Sequence, residues 1–304
     1  MRYCIDYSKL NSVTRKDAFP LPRIESCIDT PRGNKYMSCL DMAWGYYQTK
    51  IHEDDRHKTV FITKHGLFEY VRLCFDLCNS PAFFQIVIQL ILTGLTWEIC
   101  LAYLDDIIVL GRDFENHLSN LVTVLKRFRD NNLKLKPQKC KLFQKEVILL
   151  GKLVSEQGVS VNPESRNVIL KWPVPKKKRD VESLLGFANY HRDHIKDYST
   201  IAEPIYDITK KKSTFHWGDP QQTAFQTIQN ALVNSAVLVY PDPNARFILD
   251  TDASNTTIGA ELFTDSRRQR ICSQFSQQSP YTSTKKILYN KKGTISSHHF
   301  YPSA

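Results

Sequence analysis

Two adjacent carboxylates, Asp105 and Asp106, stand inside an otherwise apolar stretch, Cys100-Leu-Ala-Tyr-Leu-Asp-Asp-Ile-Ile-Val-Leu110. Desolvation and mutual repulsion both oppose the ionisation of like charges placed this way. A divalent cation would remove the conflict. Mg²⁺ is hard, prefers oxygen ligands, and is held by one or two carboxylates together with substrate phosphates. An exposed hairpin turn with two solvated aspartates is the plainer explanation of a lone Asp-Asp. A second apolar segment ending in an acid, Ser38-Cys-Leu-Asp41, shifts the balance. Two strands of one sheet delivering carboxylates to the same edge is a geometry suited to two-metal phosphoryl transfer.

The surrounding pattern supplies those strands. Tyr36 to Asp41 reads as a strand, preceded by a segment that Pro20, Pro22 and Pro31 mark as extended and turn-rich. A hairpin pattern follows, Thr59 to Thr63 and Leu67 to Leu73 around His65-Gly66. Ser80-Pro81 opens a helix running to about Leu92, and Gly94 ends it. Leu118, Leu121, Val122, Leu125 and Phe128 fall at helical spacing between Phe114 and Asn131. Leu133 to Lys136 alternates as a short strand, and Val147 to Val154 reads as a strand pair. Trp172-Pro-Val-Pro-Lys-Lys-Lys-Arg179 is a basic linker into helices at Val181 to Tyr190 and Ile201 to Thr209. Phe225 to Val233 reads as helix, and Arg246 to Asp252 as a strand ending in acids.

Composition narrows the classes. A chain of 304 residues can hold two or three domains, and no apolar run approaches the roughly 20 residues of a membrane helix. The formal charge of +10 favours a polyanionic partner, nucleic acid being the commonest. Eight scattered cysteines, several inside apolar runs, suit buried thiols in a reducing compartment. Cys74 and Cys78 lack the second Cys/His pair that a zinc clip needs.

The ordered motifs resemble a family. Leu40-Asp41-Met-Ala-Trp-Gly45-Tyr46-Tyr-Gln48 resembles the L-D-x-x-x-G-Y-x-Q motif of gypsy-type LTR retrotransposon reverse transcriptases, and Tyr103-Leu-Asp-Asp106 resembles their Y-[VL]-D-D. The similarity takes in Arg2 to Asn11, Phe19 to Ile24, Asn79 to Ala82, Leu133 to Cys140, Leu150-Gly151, Leu185 to Tyr190 and Thr251 to Ser254, so about residues 2 to 265. It implies an α+β right-hand polymerase. Truncated fingers and a ferredoxin-like palm would occupy 1–160, a helical thumb 161–212, and an incomplete RNase H-like α/β domain 213–304. The implied activity is RNA-directed DNA polymerisation: nucleotidyl transfer onto a primer 3′-hydroxyl, with an RNA or DNA template and deoxynucleoside triphosphates. Asp41, Asp105 and Asp106 would form the catalytic, metal-holding cluster for two Mg²⁺ ions. Arg2, Tyr46 and Phe75 would bind the nucleotide, Tyr46 beneath its sugar. Leu150 and Gly151 would hold the primer end, Lys176 to Arg179 would track the duplex backbone, and Asp252 would be the first acid of an RNase H site. By the same resemblance the protein would be intracellular, cytoplasmic in virus-like particles or else nuclear. Oligomeric state is not readable.

Three departures from the pattern matter. Further finger strands expected upstream of Arg2 are absent. The family's P-F-G-L reads Cys74-Phe-Asp76-Leu, which puts bulk and negative charge where glycine would let substrate approach. After about residue 266 the similarity dissolves. Codons chosen for Lys285 to His299 and read one base on give K-K-Y-C-T-T-K-K-E-L-L-A-V-I, close to the family's N-Y-x-T-T-x-x-E-L-L-A-V block. A frameshift would explain this and would remove RNase H activity. The alternative to an active polymerase is a decayed retroelement fragment that at most binds nucleic acid.

Overall fold

The computed structural model describes residues 4–210, 213–240, 246–253, 258–266, 269–278, 288–289 and 295–296. The chain divides into two compact units, Met1–Glu156 and Gln157–Ala304.

The first unit begins with two short helices, α1 (Ser8–Val13) and α2 (Ile24–Asp29), where the prolines had suggested extended chain throughout. Strand β1 (Tyr36–Asp41) follows as expected, then α3 (Glu53–Arg56) and the hairpin β2 (Phe61–Thr63) and β3 (Gly66–Phe68). Helix α4 (Ser80–Ile91) carries Pro81 in its first turn, where a missing N–H costs nothing. Next come β4 (Cys100–Tyr103), β5 (Asp106–Gly111), α5 (Phe114–Asp130), β6 (Lys141–Gln144), β7 (Glu146–Leu149) and β8 (Lys152–Ser155). The expected strand at Leu133 to Lys136 is reduced to one bridge, Leu135 to Met42.

One sheet positions the carboxylates. Its order is β4-β5-β1-β6, so β5 and β1 are interior strands. Ile107, Ile108, Val109 and Leu110 of β5 are buried in succession, as a strand covered on both faces must be. Ile107 and Val109 join a core with Phe84 and Ile88 of α4 and with Leu121, Val124 and Phe128 of α5. Helix α5 is capped by Asp113, whose carboxylate accepts from the Asn116 N–H at 2.8 Å.

The buried stripe of α5 is His117, Leu121, Val124 and Phe128, whereas Leu118, Val122 and Leu125 are exposed. Apolar spacing therefore found the helix and two of its buried positions, Leu121 and Phe128, but not His117 or Val124. The missing clue was a polar pair: His117 Nε2 lies 2.7 Å from Ser38 Oγ inside the core, and Ser38 Oγ also accepts from Phe143 N–H at 3.0 Å. That pair ties β1 to α5 and to β6.

The second unit contains β9 (Gly158–Val161), α6 (Pro163–Leu170), α7 (Lys178–Tyr190), α8 (Tyr198–Thr209) and α9 (Asp219–Val233). Asn162 caps α6 by accepting from Glu164 N–H at 3.0 Å. Val181, Leu184, Ala202, Ile205, Phe225 and Ile228 share one core, so α9, expected to open a third domain, packs with the helices of the expected thumb. Strands β10 (Arg246–Ala253), β11 (Ile258–Ser266) and β12 (Gln269–Gln278) form an antiparallel sheet in that order. Most of the segment carrying the frameshift expectation lies outside the described residues. Among the described residues no helix is long and apolar enough to cross a membrane.

Burial holds the pKa of His117 below its ordinary 6.5. The unfolded imidazole takes its proton near pH 6.5 while the folded one resists, so stability is complete above that pH and declines as pH falls toward the folded pKa. The melting temperature should fall between about pH 7.5 and about pH 5, and should fall less in His117→Gln. Equal falls in the two proteins would exclude this role.

Candidate active site

The turn joining β4 to β5 is Leu104-Asp105, between paired Tyr103 and Asp106. Leu104 has φ 52°, and Asp105 is not among the residues of positive φ. A two-residue hairpin turn with a left-handed first residue is of type II′, normally a glycine position. Leucine there costs on the order of 1–2 kcal/mol. The strain is held by Gln85 of α4, which is fully buried. Its Oε1 accepts from Leu104 N–H at 2.7 Å and its Nε2 donates to Ala102 O at 3.0 Å. One amide thus brackets the turn from below.

The opposite wall comes from the end of β1. Register pairs Asp41 with Asp106 across β1 and β5. Beyond Asp41 the chain turns through Trp44, in left-handed conformation at φ 60°, into a 3₁₀ turn at Gly45–Gln48. A Cβ on Gly45 would stand 2.5 Å from Asp105 Oδ1, so glycine is what lets this carboxylate lie against the turn. Gln48 fastens the same turn to the 133–136 segment. Its Nε2 donates to Ala43 O at 2.6 Å and Lys134 O at 2.8 Å, and its Oε1 accepts from Lys134 N–H at 2.7 Å.

Asp41 and Asp105 consequently line one cavity of about 80 Å³, together with Gly45, Phe75 and Lys139. Lys139 Nζ sits 3.1 Å from Asp41 Oδ2. Asp106 is not in that lining. It is exposed, yet loss of water on its protein side, and then the Asp41 charge, raise its pKa against the opposing charge of Lys139. Among the described residues no three His, Cys, Asp or Glu side chains already stand in a metal-holding group. Two hard oxygen donors on one cavity nevertheless fit the way Mg²⁺ is held, by one or two carboxylates with substrate phosphates completing the shell.

The aromatic residues gather beside this cavity. The Tyr46 ring lies 5.1 Å from Phe75 and 5.4 Å from Phe84. Burial, and then the Asp105 charge, raise the Tyr46 pKa, so the hydroxyl keeps its proton. Asp76 has a positive φ of 70°, in the region that favours glycine. Its carboxylate is turned to Tyr7 N–H at 2.7 Å, while its carbonyl accepts from Asn11 Nδ2 at 2.6 Å. The expected negative charge is therefore engaged with the N-terminal segment. Leu150 and Gly151 form a second two-residue turn, between β7 and β8, with φ of 47° and 79°. Asp252 lies on β10 in register with Gly259. Arg2 lies outside the described residues.

Residues 1–154, half of the chain, match the family model described as reverse transcriptase (RNA-dependent DNA polymerase). The chain belongs to the reverse transcriptase family. Residues 217–292 match the RNase H-like domain found in reverse transcriptase, a match that continues past Asp265. Over 265 residues the chain is 36% identical to the retrovirus-related Pol polyprotein from transposon 297 of Drosophila melanogaster, covering 86% of this chain and 25% of that protein. For the polyprotein from transposon gypsy of the same organism the figures are 36% over 278 residues, 88% and 27%. The chain thus spans about a quarter of the length of these relatives. Foamy viral protease-reverse transcriptase in complex with dsDNA shares the fold, with TM-score 0.81 at 21% identity over 93% of this chain and 59% of that one. Its complex with RNA/DNA hybrid gives 0.79 at 22% identity, covering 92% and 38%. The fold is the expected α+β polymerase fold of a reverse transcriptase with an RNase H-like part.

At this candidate site Gln85 escaped sequence reasoning, and Lys139 entered it only within the family-like stretch Leu133 to Cys140, with no role given. Gln85→Leu leaves the half-buried Leu104 N–H and the buried Ala102 carbonyl without these partners. It should lower unfolding free energy by about 2 kcal/mol in urea titration. A loss below about 0.5 kcal/mol would mean that the turn holds itself.

Proposed function

We propose that the chain is an RNA-directed DNA polymerase module that adds deoxynucleotides to a primer 3′-hydroxyl on an RNA or DNA template. The convergence of Asp41 and Asp105 on one cavity carries this reading, because it gives the paired carboxylates a purpose that a solvated turn would not have. Asp41 and Asp105 would hold Mg²⁺, with Asp106 adding negative charge beside them. The bound metal would supply a lowered pKa for the attacking hydroxyl and neutralisation of the triphosphate charge.

The remaining work belongs to the chain. Gln85 fixes the turn that aims Asp105, and Gly45 leaves the room for its carboxylate. Tyr46, kept neutral and braced by Phe75 and Phe84, offers a flat floor for the incoming sugar and excludes a 2′-hydroxyl by bulk. Arg2 would pair with the triphosphate, and the Leu150-Gly151 turn would bear on the primer end. A template-primer duplex is the partner, in keeping with the +10 charge and with the nucleic acids bound to the foamy viral relatives.

Primer extension on poly-rA/oligo-dT with Mg²⁺ tests the reading. Asp105→Asn should lower the rate on the order of a hundredfold or more. Extension by the unsubstituted chain no faster than by that variant would favour the decayed, non-catalytic fragment.

A further inference from the structure

We propose that Lys139 is an internal counter-cation of the Asp41–Asp105 cavity, holding it between catalytic cycles and leaving when a divalent cation enters. The inference rests on the polymerase reading above and deepens it. Among the described residues lining the cavity, Lys139 is the cation. Its ammonium lies 3.1 Å from Asp41 Oδ2, and its charge also reaches Asp106. It therefore brings a positive charge to the cavity that Asp41 and Asp105 both line.

The backbone fixes the root of this side chain and leaves its end free to move. Lys136 N–H donates to the carbonyl of Asp41 itself at 2.9 Å, and the 3₁₀ turn at Pro137–Lys139 closes with Lys139 N–H on Lys136 O at 3.0 Å. The lysine is thus anchored to the strand end whose carboxylate it neutralises. Its side chain is 53% exposed, so the ammonium can swing into water without unpacking anything. Ion pairs this exposed are weak, and a flexible four-carbon stem makes the departure easy. The same stem lets the ammonium return when the metal leaves with its phosphates. Without it, empty carboxylates would repel one another and strain the Leu104 turn.

Mn²⁺ binding to the full chain, followed by the loss of the free-ion electron paramagnetic resonance signal, tests the proposal without reference to catalysis. Removing the competing charge in Lys139→Met should tighten Mn²⁺ binding about tenfold, and Lys139→Gln should do the same. Lys139→Arg, which keeps the charge, should bind as the unsubstituted chain does. Unchanged or weaker binding in both neutral variants overturns the proposal. Asp41→Asn reports separately on the site: binding should be lost, and binding equal to that of the unsubstituted chain would place the ion elsewhere and overturn the metal-site reading as well.

Discussion

Asp41 and Asp105 bring two like charges to one cavity, and neither chooses its place by its own stability. Each must be carried to the cavity by an element whose position is fixed by something else. For Asp105 that element is the β4–β5 hairpin, buried through Cys100, Leu101, Ala102 and Ile107 to Leu110. For Asp41 it is β1, interior to the same sheet. Burying a Val, Leu or Ile side chain is worth about 1.5–3 kcal/mol. Several such residues on each strand outweigh a single left-handed leucine and the repulsion of two partly solvated charges. The site can be unfavourable because its supports are not.

The same logic reaches outward from the turn. Gln85 converts a flexible loop into a defined one, since its two hydrogen bonds leave the hairpin no alternative register. Gln48 does the corresponding work on the other wall, reinforcing the short Leu135–Met42 bridge by which the 133–136 segment pairs with the end of β1. Phe75 then packs against Tyr46 with its ring tilted by 50°, and the Asp76 carboxylate accepts from Tyr7 N–H. The departure from the family pattern at Asp76 is in this way absorbed by the fold: the backbone keeps a glycine conformation, and a carboxylate that could oppose a triphosphate is tied to the first helix.

Much of this was legible from residue order. Strand β1 and the β4–β5 segment are read directly from apolar runs that carry acids, and Gly45 from the resemblance of the Leu40–Gln48 motif to the family's. What escaped did so for physical reasons. Gln85 looks like any polar residue in an amphipathic helix until the hairpin above it is placed. His117 interrupts the apolar face of α5 because its partner, Ser38, lies on a distant strand, so periodicity found Leu121 and Phe128 of the buried stripe but added Leu118, Val122 and Leu125 and missed His117 and Val124. Helices α1 and α2 are short, the second lies between Pro22 and Pro31, and hydrogen bonds from elsewhere sustain the first. Lys139 stands in the family-like stretch Leu133 to Cys140, yet its place against Asp41 depends on where the Pro137–Lys139 turn delivers it.

The central claim is that Asp41 and Asp105 together make a seat for a divalent cation. Anomalous scattering from crystals soaked in Mn²⁺, with primer-template and deoxynucleoside triphosphate present, tests it most directly. The account predicts a peak in contact with both carboxylates and Lys139 displaced from Asp41. A peak bound elsewhere, with the Lys139–Asp41 pair intact, would contradict it.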